Sequence, residues 1–271
     1  MPRKLILCVI VACVVGVVGC ETVQTTNPGA IGVTRKQQMI VSEKEVEQAS
    51  AQAYQQQLSE AKSKGALNTD GKLTARVRGI SQRLVPQTGT FRPDAPGWQW
   101  EFNTLKTDEL NAYCMPGGKI MVYSGLVEKL NLTDAELAAV IGHEIGHALR
   151  EHSRERISRE YAQQVALSGA AVLTGAGEAL TGLASSVANV TFQLPHSREQ
   201  ESEADRIGLE LMARAGYDPN AAVSVWKKMM AQEKSGQPQF LSTHPSPSSR
   251  IQDLQSLVPK VMPLYQKAGK A

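Results

Sequence analysis

The fold is decided by the stretch Leu132-Thr-Asp-Ala-Glu-Leu-Ala-Ala-Val-Ile-Gly-His-Glu-Ile-Gly-His-Ala-Leu-Arg150. Thr133, followed three residues later by Glu136, has the pattern of a capping box, so a helix is predicted to begin here. Asp134 and Glu136 place negative charge in the first turn, where the helix dipole favours it. The apolar residues that recur every three to four positions are Leu137, Val140, Ile141, Ile145, Ala148 and Leu149. This spacing predicts that one face of the helix lies in the core.

Three polar residues in this helix, His143, Glu144 and His147, form a His-Glu-x-x-His motif. The two histidines are one turn apart, so both imidazoles project from the same side and can bind one metal ion. Glu144 lies about 100° around the helix, where it can reach a water at that metal without being a ligand. A chance match is the weaker interpretation, because a buried cluster of this kind without a metal is costly to desolvate. The motif therefore predicts the site of a zinc hydrolase.

Such a site needs a third protein ligand while a fourth position stays open for water. A third histidine six residues after His147 is excluded, because a serine stands there. The remaining option is a carboxylate on a later helix, and the helix predicted over Ser197–Met212 carries Glu201 and Asp205 one turn apart. The competing carboxylates on that helix are Glu199 and Glu203. The apolar face of the helix favours Glu201 as the ligand, and Asp205 is expected to accept a hydrogen bond from a ligand imidazole.

These motifs resemble those of the metallopeptidase family that includes the CAAX prenyl endopeptidase, HtpX, and the periplasmic peptidases LoiP and BepA. The stretches that carry the resemblance are His143–His147, Glu201–Asp205, Asn111–Leu126, and Ser242–Pro245 followed by Arg250. They cover about residues 70 to 257. The resemblance implies an α+β, mostly helical fold, a zincin-like (gluzincin) peptidase domain with a small β-sheet beside the zinc helix, and one Zn²⁺ per chain. The sequence departs from the family pattern at Cys114, where a small residue such as alanine is expected.

The resemblance also implies roles for residues outside the two zinc helices. It assigns Asn111 and Ala112 to an unpaired strand edge that binds substrate by strand addition, although Asn111 as a simple turn residue is the alternative. It places His244, on a proline-flanked loop, beside the site. There a histidine can donate to the oxyanion of the tetrahedral intermediate, or can occupy the open zinc position and keep the enzyme latent. His152 and His196 are interpreted as solvent-facing residues.

The first 20 residues are predicted to be a lipoprotein signal peptide, because a basic start and an apolar core precede the lipobox-like Val17-Val-Gly-Cys20. Cleavage there would leave Cys20 as a lipidated N-terminus. The alternatives are an earlier lipobox that ends at Cys13 and an uncleaved N-terminal anchor. Because Glu21 rather than an aspartate follows the cysteine, we expect an outer-membrane lipoprotein that faces the periplasm, with an inner-membrane anchor as the alternative.

The composition predicts one globular domain with additional segments at its ends. The chain has 271 residues, 42% of them hydrophobic, and a net charge of +3, which does not suggest a nucleic-acid partner. If the signal peptide is cleaved and Cys20 carries lipid, Cys114 is the one cysteine left to form a disulfide, so no internal disulfide is expected. We divide the mature chain into a tether (21–41), an N-terminal helix (42–69), the zinc metallopeptidase domain (70–257) and a C-terminal tail (258–271).

The remaining periodicity predicts the elements around the motifs. Further helices are predicted over Ser42–Lys64, Leu73–Val85 and Ala221–Met230. Strands are predicted over Trp98–Leu105, Asn111–Met115 and Lys119–Tyr123. The segment Val165–Val190 is long enough for a membrane span, but four glycines and Glu178 interrupt it, which favours a helical hairpin.

Together these features predict a zinc-dependent endopeptidase. His143, His147 and Glu201 would hold the zinc, Glu144 would take a proton from water and deliver it to the leaving amine, and Asp205 would orient a ligand histidine. The expected substrates are misfolded or unassembled cell-envelope proteins, with possible partners in the envelope assembly machinery. The alternative is a latent or non-proteolytic chaperone or assembly factor for outer-membrane proteins that uses the same zinc site. A purely structural zinc site is disfavoured, because such sites close with four protein ligands and prefer cysteine.

Overall fold

The computed structural model describes residues 21–168, 176–233, 239–245 and 248–269. Its strands are β1 (Glu21–Val23), β2 (Gln37–Met39), β3 (Glu101–Leu105), β4 (Ala112–Met115) and β5 (Lys119–Tyr123). Its helices are α1 (Glu43–Ser63), α2 (Gly71–Leu84), α3 (Ser124–Lys129), α4 (Asp134–Leu149), α5 (His152–Ser168), α6 (Ala176–Phe192), α7 (Arg198–Arg214), α8 (Asn220–Glu233), α9 (Gln239–Thr243) and α10 (Ser248–Ala268). This mostly helical arrangement with small sheets confirms the predicted fold class. The predicted signal peptide, including Cys20, lies outside the described residues.

Helix α4 lies at the centre of the molecule. It begins where the sequence predicts, because the Thr133 hydroxyl accepts a hydrogen bond from the Glu136 N–H and the Glu136 carboxylate accepts one from the Thr133 N–H. Every residue from Glu136 to Leu149 is buried. The helix is covered by α2, α7, α8 and β4. Side chains on α4 are therefore held in fixed positions by close packing on all sides.

Helix α7 crosses α4 at very short range, because small residues line the crossing. A Cβ atom added to Gly208 would lie 2.6 Å from the backbone nitrogen of His143. A Cβ atom added to Gly146 would lie 2.9 Å from the carbonyl oxygen of Ala204. Larger side chains at these positions would force the two helices apart. The short crossing brings the acidic residues of α7 within reach of the α4 histidines.

The three-stranded sheet has the order β3-β5-β4, with β3 parallel and β4 antiparallel to β5. Strand β4 therefore forms one edge, and it packs against α4. The carbonyl of Asn111 accepts a hydrogen bond from the Tyr123 N–H, at 3.0 Å. Because direction alternates along an antiparallel strand, the backbone groups of Ala112 and Cys114 point away from β5. In the part of the chain that the structure describes, no strand pairs with that side of β4.

The segment 21–41 is packed against the body and does not form the free tether that the sequence predicts. Strands β1 and β2 pair with each other, and Ile31 and Met39 are buried. The carboxylate of Glu210 on α7 accepts a hydrogen bond from the Ala30 N–H at 2.7 Å. The few apolar residues of this segment are enough to bury it against distant helices. We call residues 21–41 the N-terminal arm.

The predicted C-terminal tail is also ordered, since α10 continues to Ala268. Val258 and Val261 are buried, and they belong to an apolar stripe that packs against α7 and α8. The stripe outweighs the helix-breaking tendency of Pro259 and Pro263, which both lie inside the helix. Residues 270–271 lie outside the described residues.

The segment Val165–Val190 falls on the end of α5 and on most of α6, and its residues 169–175 are not among those described. The side chains of Ala184, Val187 and Val190 on α6 join one apolar cluster with Val46 and other α1 residues. Helix α1 therefore packs against α6 through a shared apolar cluster. Among the helices described, none combines the length and the apolar character that a membrane crossing requires.

Candidate metal centre

Three predicted ligands converge from two helices. His143 Nε2 and His147 Nε2 on α4 are 3.1 Å apart. Glu201 on α7 places Oε2 3.5 Å from His143 Nε2 and Oε1 3.3 Å from His147 Nε2. Ligand atoms that lie about 2.0–2.1 Å from a tetrahedral zinc ion are ~3.3 Å from each other. The three side chains therefore match zinc both in their chemistry and in their spacing.

A fourth group, His244, lies in the same cluster. Its Nδ1 is 3.0 Å from Glu201 Oε1 and 3.3 Å from His143 Nε2, and its side chain is buried. One ligand atom from each of His143, His147, Glu201 and His244 lies within 4.8 Å of the others. Imidazole nitrogens and a carboxylate oxygen that lie this close together form the kind of donor set that zinc prefers. A cation is the group that fits this arrangement.

Glu144 borders the cluster without joining it. Its side chain is buried, its Oε1 lies 3.6 Å from His244 Nε2, and this oxygen forms no hydrogen bond with any described residue. Burial raises the pKa of Glu144, and the nearby charge of Glu201 raises it further, although His244 opposes the shift. A buried carboxylate oxygen without a partner is costly, so this atom is suited to a proton or a polar ligand.

Asp205 and Arg250 hold two of the clustered side chains in place. His143 Nδ1 donates to Asp205 Oδ1 at 2.9 Å, while Arg250 donates to both oxygens of the same carboxylate, at 2.6 and 2.7 Å. Arg250 Nη1 also lies 2.6 Å from Glu201 Oε2, and the guanidinium lies 3.7 Å above the Trp226 ring. Trp226 itself is buried. The ion pairs fix the orientation of both His143 and Glu201.

Electrostatics in the cluster favour an ionised carboxylate facing imidazoles. Burial alone would raise the pKa of Glu201, but the charges of His244 and Arg250 hold it well below its usual range. Burial would also raise the pKa of Asp205, and Arg250 again holds it low. Burial lowers the pKa of His147 well below its usual range, which favours the neutral imidazole that metal binding needs. Burial opposes protonation of His244 too, yet the carboxylate of Glu201 raises its pKa.

The interpretation of His152 as a solvent-facing residue is wrong, and that of His196 is only partly right. His152 is fully buried, with Nδ1 2.7 Å from His147 Nδ1 and Nε2 3.0 Å from Glu203 Oε2. His196 is only partly buried, and its ring centroid lies 4.0 Å from that of His147. Burial lowers the pKa of both. No local sequence pattern distinguishes either from a surface histidine, because their positions depend on contacts with other helices.

Glu203, the competing ligand, points to a different set of partners. Its carboxylate accepts hydrogen bonds from Arg35 of the N-terminal arm, from Arg150 at the end of α4, and from His152. Burial would raise the pKa of Glu203, but the hydrogen bonds from His152 and Arg35 hold it far below its usual range. It lies outside the four-membered cluster that contains Glu201.

The predicted substrate edge lies on β4, next to α4. Asn111 Oδ1 accepts a hydrogen bond from the Ala112 N–H, at 2.9 Å, so the side chain covers one of the outward-pointing backbone groups. Cys114 is a buried free thiol whose pKa burial raises well above its usual value. A buried thiol of this kind is a poor nucleophile and a poor target for oxidants.

Comparison with known families decides the class of this site. The profile of Peptidase family M48 matches residues 72–258, which is more than half of the chain. The chain belongs to peptidase family M48. The matched region contains His143, Glu144, His147, Glu201 and His244. Membership agrees with the predicted metallopeptidase class and with zinc as the cofactor.

Relatives with a similar sequence are named as proteases. The mitochondrial metalloendopeptidase OMA1 of Schizosaccharomyces pombe is 36% identical over 190 residues, 69% of this chain and 53% of the relative. OMA1 of Arabidopsis thaliana is 38% identical over 154 residues, 57% of this chain and 30% of the relative. The β-barrel assembly-enhancing protease of Escherichia coli K12 is 26% identical over 213 residues, 75% of this chain and 42% of the relative. The chain thus spans about half or less of the length of these relatives.

Proposed function

We propose that this M48 enzyme hydrolyses peptide bonds in misfolded or unassembled cell-envelope proteins, from a lipid-anchored position on the outer membrane that faces the periplasm. The observation that carries the catalytic part is the convergence of His143, His147 and Glu201 beside Glu144. The lipobox that ends at Cys20 supports the location. A relative named as a β-barrel assembly-enhancing protease supports the link to envelope proteins.

In this proposal His143, His147 and Glu201 hold the zinc. The ion-paired Asp205 fixes the ring of His143, and Arg250 fixes the carboxylate of Glu201. Two neutral imidazoles and one carboxylate leave a net positive centre when the divalent ion is bound. When bound, zinc supplies Lewis acidity, which polarises the scissile carbonyl and makes the attacking water more acidic.

Glu144 is the proton carrier. Its Oε1 is buried at the edge of the cluster, without a hydrogen bond from the described residues, and can accept a proton from the attacking water. The raised pKa of Glu144 favours its protonated form after this transfer, so the same oxygen can deliver the proton to the leaving nitrogen. Removal of the carboxylate would abolish both transfers and would leave the three proposed ligands in place.

The free edge of β4 is the proposed substrate edge. An extended peptide could pair with the outward-pointing backbone groups of Ala112 and Cys114, so that alternate carbonyl groups of the peptide face β4 and the others face away from it. Asn111 Oδ1 would have to release the Ala112 N–H before that group could donate to the substrate. Backbone pairing tolerates many side chains, which suits an enzyme whose substrates are recognised because they are unfolded.

A latent state, in which the protein acts as a chaperone or assembly factor for outer-membrane proteins, is the second candidate function. The specific observation that favours it is the position of His244, whose Nδ1 is as close to His143 Nε2 and Glu201 Oε1 as the other proposed ligands are to one another. A neutral imidazole there would take the coordination position that a substrate carbonyl or water needs. The same histidine could instead donate to the oxyanion, and the effect of its removal distinguishes these roles.

The test compares wild-type protein with Glu144→Gln, using zinc content and casein cleavage. We expect both proteins to retain zinc and only wild type to cleave casein, because Glu144 is not a ligand. Equal cleavage by the two proteins would contradict the assigned role of Glu144. Expression of the same variant in a strain that lacks the gene tests the second candidate, because full support of envelope integrity by Glu144→Gln would mean that proteolysis is not the main task.

A further inference from the structure

We propose that His152 is a positioning residue that holds His147 in the tautomer and orientation required for zinc binding, and that Glu203 anchors it. The inference rests on the proposed role of His147 as a ligand. His147 Nδ1 and His152 Nδ1 are 2.7 Å apart, and His152 Nε2 is 3.0 Å from Glu203 Oε2. The three side chains form a chain of hydrogen bonds that leads away from the metal site into the protein.

The direction of each hydrogen bond in this chain follows from the ligand role. A neutral imidazole that binds metal through Nε2 carries its proton on Nδ1, so His147 must donate. His152 must then accept at Nδ1, which leaves its own proton on Nε2, directed at Glu203. Glu203 can only accept when it is ionised. Every hydrogen-bonding atom along the chain thus has one consistent assignment, and a change at His152 disturbs the ring of His147.

Ion pairs with one buried and one partly exposed arginine hold the far end of the chain. Arg150 donates to Glu203 at 3.0 and 3.3 Å, and Arg35 donates to it at 2.7 and 3.0 Å. Arg150 also donates to the carbonyl of Arg35 and to the hydroxyl of Thr25, which ties the N-terminal arm to the end of α4. The carboxylate therefore cannot turn away from His152 without breaking several charged hydrogen bonds.

The two α4 histidines are thus oriented by different means. His143 donates directly to the carboxylate of Asp205, while His147 reaches a carboxylate only through the ring of His152. Groups of this kind around a metal site fix ligand orientation, and their loss typically weakens metal binding about 10–100-fold. The ring of His152 lies between Nδ1 of His147 and the carboxylate of Glu203. Through this ring, the N-terminal arm and α7 can fix the orientation of His147.

A second metal ion between His147, His152 and His196 is a competing interpretation of the same cluster, since their ligand atoms also lie within 4.8 Å of one another. It is disfavoured because His147 Nδ1 and His152 Nε2 are already hydrogen-bonded. A metal there would also require His147 to lose the proton on Nδ1 and to bridge two metal ions. The hydrogen-bonded chain requires neither of these changes.

The experiment measures zinc affinity by competition with a chelator, in wild type, His152→Leu, His152→Asn and the control His196→Leu. His196 contacts the face of the His147 ring but makes no hydrogen bond to it among the described contacts. We expect His152→Leu to bind zinc about 10–100-fold more weakly than wild type. His152→Asn, whose Oδ1 can accept from His147, should recover most of the loss, and His196→Leu should stay within about threefold of wild type.

Three results would overturn the proposal: wild-type affinity in His152→Leu, equal losses in His152→Leu and His152→Asn, or an equal loss in His196→Leu. If wild type binds no zinc, the proposed ligand set fails instead, so the two failures are distinguishable. If His152→Leu does not fold, nitrogen-15 spectra of zinc-loaded wild type provide the test. They should show His152 protonated on Nε2 alone, and a proton on its Nδ1 would overturn the proposal.

Discussion

Gly208 of α7 approaches α4 so closely that a Cβ atom on it would lie 2.6 Å from the backbone nitrogen of His143. The metal centre depends on this approach, because α4 carries the two histidines and α7 carries Glu201. The helices contact each other backbone to backbone, so the main chain sets how far apart the two ligand-bearing helices lie.

Substitution of Gly208 by alanine should therefore damage both stability and zinc binding. The added methyl group has no flexible neighbour to displace, so we expect a loss of about 1–3 kcal/mol in the free energy of unfolding and weaker zinc binding. Urea unfolding and chelator competition measure the two effects. The matched control is Gly79→Ala on α2, where nothing lies within 4 Å of the new Cβ. That variant should be neutral or more stable by up to about 1 kcal/mol, and equal behaviour of the two variants would contradict the account.

Replacement of Arg250 by methionine should be severe. It would leave the buried carboxylates of Glu201 and Asp205 without their common cation, which costs about 3–5 kcal/mol for a broken buried ion pair. We expect a large decrease in the free energy of unfolding, measured in the presence of a chelator, and a loss of zinc affinity.

The matched control for Arg250 is Arg206→Met, which removes a partly exposed pair with Asp253 on the same two helices. Such pairs contribute about 0–1 kcal/mol. Urea unfolding of both variants in the presence of a chelator makes the comparison. A loss in Arg206→Met as large as that in Arg250→Met would contradict the special role of the buried pair.

Removal of the His244 side chain should raise activity. If His244 occupies a coordination position at rest, His244→Ala opens it, and casein cleavage should increase several-fold with zinc content unchanged. The measurement is the initial rate of casein cleavage at equal zinc loading. A fall in that rate would instead assign His244 to stabilisation of the oxyanion.

The protein should become less stable in acid when the carboxylate of Glu155 is protonated. Glu155 is a buried residue that links α5 to the N-terminal arm. Burial would raise the pKa of Glu155, but hydrogen bonds from Arg35, Gln200 and Gln37 lower it to about 2. A depressed pKa means that the stabilisation is complete above the unfolded-state value of about 4.5 and is lost as the pH falls towards 2. The shift corresponds to about 3 kcal/mol.

Urea unfolding of metal-free protein between pH 2 and pH 6 measures this contribution. Glu155→Gln should lack that part of the pH dependence and should be less stable than wild type at pH 6. The control is Glu60→Gln, which removes an exposed pair with Lys64 and should change the free energy of unfolding by less than about 0.5 kcal/mol. An unchanged acid dependence in Glu155→Gln would show that another group is responsible.

Local sequence patterns were sufficient to predict the helices that carry the residues of the metal centre. Helices α4 and α7 begin after Thr133 and Ser197 as predicted, because the capping boxes that start them form by hydrogen bonds within four residues. Spacing along α4 likewise indicates that His143 and His147 share a face. The strands β4 and β5 form where the sequence predicts them, and Gly117 and Gly118 between them have the positive φ angles that the turn requires.

The features that the sequence did not indicate depend on contacts between distant segments. His152 points inward because the helix is interrupted at Glu151, which has a φ of +52°, and because Glu203, 51 residues away, accepts a hydrogen bond from its ring. The N-terminal arm is ordered because Arg35 and Ala30 find partners on α5 and α7. Neither relationship has a local pattern that sequence inspection could recognise.

The central claim, that one zinc ion is held by His143, His147 and Glu201, is tested most directly by zinc content per chain in wild type and Glu201→Ala after dialysis against a weak chelator. The account predicts about one zinc ion per chain in wild type and far less in Glu201→Ala, with both proteins folded by circular dichroism. Full retention of zinc by Glu201→Ala would contradict it.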